Sequence, residues 1–256
     1  MRITVLGKSP SWQDAGGACS GYLVDDGETQ ALIDCGSGVF SKLRTVGDYA
    51  DLDAIVVSHM HADHFIDLIP FACGLTYAPR DARSRPQLHL PPGGSEQLDT
   101  LVRGAGHSGD LISGAFALRE YDPAGAVTIG SLHVRFQAVP HFIPTYAIEL
   151  RSAARPERRF TYGADHRATD ALDAFAAATD LLLLEATMAH PEADREGLRG
   201  HMTPAQAGAL AARCGAQRLV LTHISDELDA EWALAQARSA FDGPLDIARE
   251  GALYDV

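Results

Sequence analysis

Three imidazoles and a carboxylate fall within six residues at His59-Met60-His61-Ala62-Asp63-His64, directly after the apolar run Ala54-Ile55-Val56-Val57. A single histidine on an apolar face is ordinarily a packed core residue. Four strongly solvated groups crowded at one strand end are costly to desolvate unless something binds them, and imidazole with carboxylate is a donor set for divalent cations. The imidazoles favour zinc, although manganese or iron could use the same donors.

A cluster of this kind needs a rigid strand beneath it and further donors from elsewhere in the chain. Ala54 to Ser58 is almost continuously apolar, which suits a strand covered on both faces. Further strands are expected at Leu132 to Val139, Arg159 to Tyr162, Leu181 to Leu184 and Arg218 to Thr222, leading into His141, Asp165, Glu185 and His223 respectively. Layered α/β proteins form their sites at the carboxyl ends of strands. Five imidazoles (His59, His61, His64, His141, His223) and two carboxylates (Asp63, Asp165) meeting there can complete two metal sites, with Asp165 able to bridge. Two ions roughly 3.5 to 4 Å apart would activate a water and hold the oxygens of an ester or phosphodiester. Two other histidines read differently. His133 alternates with Leu132 and Val134 and should face outward, and His107, in the glycine-rich stretch Gly104 to Gly114, reads as a solvated loop residue.

The remaining elements follow from local pattern. Strands are expected at Ile3 to Leu6, Gly21 to Val24 and Ala31 to Asp34, and a helix at Val39 to Val46. A turn at Phe65 to Ile69 is followed by a helix starting at Pro70, because proline cannot sit deep inside one. Thr203-Pro204-Ala205-Gln206 has the form of a capping box with proline at the first helical position, and Gly215 closes that helix. His201 then stands just ahead of the positive helix end. Helices at Thr169 to Ala178 and Glu227 to Phe241 and a last strand near Leu245 to Ala248 complete the reading. Between about 77 and 122 the pattern weakens, and this region is read as an insertion near the active site. Arg80, Arg83 and Arg85 within it read as a solvated loop.

The 256 residues, 46% hydrophobic, show no break in composition and are read as a single domain spanning 1–256. A net charge of −13 repels phosphate backbones at long range and disfavours a wholesale nucleic-acid binder, although bound cations can reverse the sign locally. Cys19, Cys35, Cys73 and Cys214 have no C-x-x-C pairing, which suits reduced thiols. Met1 to Gly7 reads as strand and turn rather than a secretion signal, and no apolar run is long enough to span a bilayer, so a cytoplasmic protein without membrane contact is expected. A homodimer is compatible with the sequence but not required by it.

The pattern His59-x-His61-x-Asp63-His64 with separated His141, Asp165 and His223 resembles the metallo-β-lactamase superfamily along essentially the whole chain. The resemblance implies an α/β fold, a four-layer αβ/βα sandwich of two β-sheets flanked by helices. It implies two divalent metal ions, one held by His59, His61 and His141, the other by Asp63, His64 and His223, with Asp165 bridging. Glu185-Ala186-Thr187 and Gly200-His201-Met202-Thr203 resemble the phosphodiesterase branch that includes ribonuclease Z, where the corresponding Glu and His handle protons beside the metals. Asp63, His201 and Glu185 are thus the candidate catalytic residues, with His201 protonating the departing oxygen and Glu185 orienting it.

Two departures bear on the substrate. Ribonuclease Z enzymes carry a protruding basic arm that grips transfer RNA, and nothing here is basic on that scale. His166 follows Asp165 where relatives commonly have a small hydroxyl residue. The spacing is similar to compact bacterial members that hydrolyse cyclic nucleotides, so the expectation is a phosphodiesterase acting on a small phosphodiester through a water activated by two metals. The alternatives are a ribonuclease Z-like RNA endonuclease, a lactone or sulfate ester hydrolase, and, from another class, a di-iron redox or metal-binding module. Redox relatives usually replace one cluster histidine by a carboxylate, whereas His61 and His64 are both present.

Overall fold

The computed structural model describes residues 1–79, 85–190 and 200–256, so Arg80 and Arg83 lie outside the described residues. The first half of the chain contains β1 (Arg2–Gly7), β2 (Gly21–Asp25), β3 (Gln30–Ile33), α1 (Val39–Val46), β4 (Ala54–Val56), α2 (Ala62–Phe65) and α3 (Leu68–Tyr77). It continues with β5 (Gln87–Leu90), α4 (Gly94–Gly104), α5 (Leu111–Ala115) and β6 (Ala117–Glu120). The second half runs β7 (Ala126–Ile129), β8 (Leu132–Val139), β9 (Thr145–Ser152), β10 (Arg155–Tyr162), α6 (Ala171–Phe175), β11 (Leu181–Glu185) and α7 (Pro204–Cys214). It closes with β12 (Leu219–Thr222), α8 (Ala230–Arg238), β13 (Leu245–Ile247) and β14 (Leu253–Asp255).

These strands form two seven-stranded sheets, in the orders β14-β1-β2-β3-β4-β5-β6 and β13-β12-β11-β10-β9-β8-β7. Each sheet has an antiparallel half and a parallel half: β3 to β6 are mutually parallel, as are β10 to β13. β8 and β10 are both antiparallel to β9, so β8 also ends at the edge where the second parallel set ends.

Residue alternation dictates the layering. In β4 and β11, Ala54, Val56, Leu181 and Leu183 enter the core between the sheets, while Ile55, Leu182 and Leu184 turn outward. Ile55 and Leu88 meet Leu43, Leu68, Phe71 and Leu98 from the helices outside the first sheet. Leu182, Leu184, Leu219 and Leu221 meet Leu172, Phe175, Leu210 and Ala233 outside the second. Strands buried on both faces need apolar residues at every position, which is why the runs Ala54 to Val57 and Leu181 to Leu184 read as continuous. The result is the expected four-layer sandwich.

Several boundaries differ from expectation. The helix α3 begins at Leu68 and Pro70 is its third residue; the first turn's N–H groups have no intrahelical acceptors, so proline forfeits no bond there. Helices α6 and α8 are shorter than their patterns suggested, with Asp229 capping α8 by accepting from Trp232 N. The segment 77–122 supplies β5 and β6 to the first sheet, with α4 between them. Arg85 donates to the carbonyls of Ser113 and Phe116 at 2.7 and 3.0 Å, tying the end of α5 down rather than standing free in solvent. The capping box at Thr203 and the left-handed Gly215 at the other end of α7 are both present.

Helix α7 packs closely on α8 at Gly208, where an added Cβ would come within 2.2 Å of the Ala237 carbonyl. Gly208→Ala is expected to destabilise the fold by about 1 to 3 kcal/mol despite alanine's better helix propensity. Denaturant unfolding checks this, with Gly104→Ala, where the added Cβ meets open space, as the control.

Candidate metal centre

The sequence-predicted donors converge at one edge of the sandwich, where the parallel strands of both sheets end. His59, His61, Asp63 and His64 come from the segment between β4 and the end of α2, His141 follows β8, Asp165 follows β10, and His223 follows β12. One group brings together His59, His61, His141 and Asp165; a second brings together Asp63, His64, Asp165 and His223. In each, one donor atom per residue lies within 4.8 Å of all the others. In the first group, His61 Nδ1 is 3.2 Å from His59 Nε2 and 3.0 Å from His141 Nε2. In the second, Asp63 Oδ2 is 3.4 Å from His64 Nε2 and 3.2 Å from His223 Nε2. Asp165 Oδ2 belongs to both, 3.8 Å from His59 Nε2, 3.2 Å from His64 Nε2 and 3.3 Å from His223 Nε2. Neither His133 nor His107 joins them, and both side chains are exposed.

These donors suit metal cations on grounds independent of their spacing. His64 Nε2 and Asp165 Oδ1 are buried without a hydrogen-bond partner, which native interiors rarely tolerate unless something else is coordinated. Burial drives the imidazole of His59 well below its usual pKa, with the charge of His64 adding to the effect. Burial likewise lowers His61 and takes His141 down to about 4, so these three favour the neutral form that ligates metal. Burial also opposes charge on His64, but Asp165, Asp63 and Asp34 outweigh it and hold that imidazole well above its usual range. Burial would raise Asp63 and Asp165, yet the neighbouring imidazoles keep both carboxyls well below theirs. The second group thus sets two ionised carboxylates among imidazoles, a donor set that suits a divalent cation.

A supporting layer fixes the donors, and its central member, Asp34, was not singled out from the sequence. Its Oδ2 lies 2.7 Å from His64 Nδ1 and accepts from Ser58 Oγ at 2.8 Å and Tyr162 OH at 3.0 Å, while Oδ1 accepts from Ser58 N at 2.7 Å. Asp34 thus orients a ring from the first sheet and receives a hydroxyl from the second. The available signal was its place directly after the apolar strand Ala31-Leu32-Ile33, as His59 stands after Ala54 to Val57. His141 Nδ1 donates to the carbonyl of Gly200 at 2.8 Å, and Thr187 Oγ1 lies 2.7 Å from His223 Nδ1. Gly200 has φ +65, and a Cβ there would press within 2.9 Å of His141 Nδ1. Asp34 and His223 also adopt left-handed backbone, at φ 57 and 48, an unfavourable conformation typical of residues held in place by a site.

Glu185 lies beside the second group. Its Oε1 accepts from His166 N at 2.7 Å and faces His201 Nδ1 at 3.0 Å, while Oε2 accepts from Met202 N at 3.0 Å and Thr187 Oγ1 at 2.9 Å. His201 Nδ1 is 4.0 Å from Asp165 Oδ2. Burial would lower the His201 imidazole, but Glu185 raises it to about 9. His166 points its Nδ1 at its neighbour Arg167's carbonyl, 2.9 Å away, and its buried Nε2 has no hydrogen bond. The open cleft between these groups, about 320 Å³, is lined by Ser11, His61, Asp63, Phe142, His201 and His223 among others.

Two seven-stranded sheets with helices outside and a histidine-carboxylate cluster at their common edge define the metallo-β-lactamase fold. The chain belongs to the β-lactamase superfamily: residues 29–224 match the family model described as a beta-lactamase superfamily domain. The probable metallo-hydrolase YhfI of Bacillus subtilis is 30% identical over 262 residues, covering 100% of both chains. Its crystal structure matches this one with a TM-score of 0.87 at 26% identity over 99% of each chain. A ribonuclease Z of Halorubrum lacusprofundi is 28% identical over 304 residues, covering 100% of this chain and 97% of its own. A diphosphatase of the PhnP family shares the fold, with a TM-score of 0.74 at 18% identity, over 100% of this chain and 97% of that one.

Because Asp34 orients His64 through one strong contact, Asp34→Asn is expected to weaken metal binding about 10- to 100-fold. Titration of the metal-stripped protein with zinc, followed by calorimetry, measures this; an unchanged affinity would show that Asp34 serves folding alone.

Proposed function

We propose that this chain is a metal-dependent phosphodiesterase acting on a small phosphodiester such as a cyclic nucleotide. The observation that carries this reading is the position of His201 beside the shared oxygen Asp165 Oδ2, with Glu185 behind its Nδ1. His59, His61 and His141 would hold one metal and Asp63, His64 and His223 the other, with Asp165 between them. Two divalent ions so held supply Lewis acidity toward the phosphoryl oxygens and lower the pKa of a coordinated water.

The protein's own groups handle the protons. Asp63, which the neighbouring imidazoles keep ionised, accepts a hydrogen bond from the attacking water, and the water's proton passes to solvent as its oxygen bonds to phosphorus. The bond from phosphorus to the leaving oxygen breaks, and that oxygen takes a proton from His201 Nε2, the ring nitrogen not engaged by Glu185. Glu185 is itself held by four donors, from His201, His166, Met202 and Thr187, so it fixes the imidazole's plane and tautomer. A cleft of about 320 Å³ suits a mononucleotide-sized substrate.

A second reading, an RNA endonuclease, is favoured by the full-length similarity to a ribonuclease Z. The net charge of −13 argues against it, since long RNA is gripped mainly through its phosphates. Comparing hydrolysis of cyclic nucleotides, a precursor transfer RNA, a lactone and an aryl sulfate separates these substrates.

His201→Ala is expected to lower kcat on a cyclic nucleotide about 10²- to 10⁴-fold while leaving metal content, measured by mass spectrometry, at the wild-type level. Glu185→Gln should give a smaller loss of kcat in the same assay. Unchanged turnover in His201→Ala would remove His201 from the reaction.

A further inference from the structure

Six large apolar side chains are exposed among the described residues, and two of them, Leu101 and Phe142, flank the metal-cluster segment. Phe142 has its ring 6.3 Å from that of His61 and lines the cleft. Leu101 lies on the other side, on α4. Between α4 and the cluster segment runs a groove of about 560 Å³ whose apolar surface comes from Met60, Ala62, Phe65 and Leu101 and whose polar groups are Glu96, Gln97 and Thr100. The groove adjoins the cleft, with Ala62 lining both.

The groove is built before any ligand arrives. Glu120 caps α4, accepting from Gly93 N and Ser95 N at 3.0 Å each. Gly94 packs on Met60, where a Cβ would come within 3.1 Å of its sulfur, and Leu98 and Val102 bury the helix's other face. A preformed, shallow apolar groove beside a polar reaction centre spares its ligand the cost of ordering the protein.

We propose that this groove seats the neutral nucleobase of a cyclic nucleotide whose phosphate lies in the cleft; the proposal rests on the phosphodiesterase reading above. The apolar floor accepts a flat ring. The Gln97 amide both donates and accepts along a base edge, and Thr100 Oγ1, which donates to the Glu96 carbonyl at 2.9 Å, keeps lone pairs to accept from an exocyclic amine. The groove's lining offers no cation to a second phosphate, and the exposed carboxylate of Glu96 weakly repels one, which favours a mononucleotide over a continuing polynucleotide strand.

The test compares steady-state kinetics on 3′,5′-cyclic AMP with those on a base-free analogue, the 3,5-cyclic phosphate of methyl riboside. Leu101→Glu and Gln97→Ala, both at exposed positions, are the variants. Each is expected to lower kcat/KM on cyclic AMP about tenfold, mainly through KM, while the base-free analogue is turned over as by the wild type. If the variants act equally on both substrates, or on neither, the groove does not hold the base. If the wild-type protein hydrolyses neither substrate, the phosphodiesterase reading fails and this proposal falls with it, a result distinct from the other two.

Discussion

Asp165 Oδ2, on a side chain only 2% exposed, stands within 3.3 Å of His64 Nε2 and His223 Nε2 and 3.8 Å from His59 Nε2. A carboxylate this deeply buried would ordinarily take up a proton, because burial penalises its charge. The surrounding imidazoles overcome that penalty, and they reach it from the ends of different strands in both sheets. The charge on one oxygen therefore depends on the two sheets being docked correctly, and the docking at this edge depends on that charge being compensated. Asp34, which orients His64 and receives the hydroxyl of Tyr162, repeats the same dependence one layer further in.

Strand register carries this arrangement. In the second sheet Leu183 pairs with Val220 and Glu185 with Thr222, and Tyr162 pairs with Leu183. A slip of one residue in β11 would turn Glu185 away from His201 and bring Leu184 to its place. The same alternation that sends Leu182 and Leu184 to the helices and Leu181 and Leu183 to the inter-sheet core also aims the carboxylate. Packing and chemistry are specified by one pattern.

Much of this was legible in the amino-acid order because it is written in local periodicities. The doubly covered strands, the capping box at Thr203 and the donors placed just after apolar runs could all be found without knowing what packs on what. The edge strands β6 and β14 escaped because Ala117 to Glu120 and Leu253 to Asp255 are short and partly solvated, so their pairing is decided by neighbours rather than by composition. Pro70 misplaced a boundary because proline in a first turn is permitted at more than one position. Asp34 and Thr187 were overlooked for a different reason: each acts through a ring belonging to a residue far away in sequence, and only the fold supplies that pairing.

The two donor groups differ in what stands behind them. His141 leans on a neutral backbone carbonyl, and its group contains no carboxylate except the shared Asp165. His64 leans on the carboxylate of Asp34, and its group adds Asp63 to Asp165. A divalent ion at the second group would meet more negative charge and a more basic ring than one at the first. The two donor groups are thus electrostatically unequal, although they share one oxygen and lie side by side at the same edge of the sandwich.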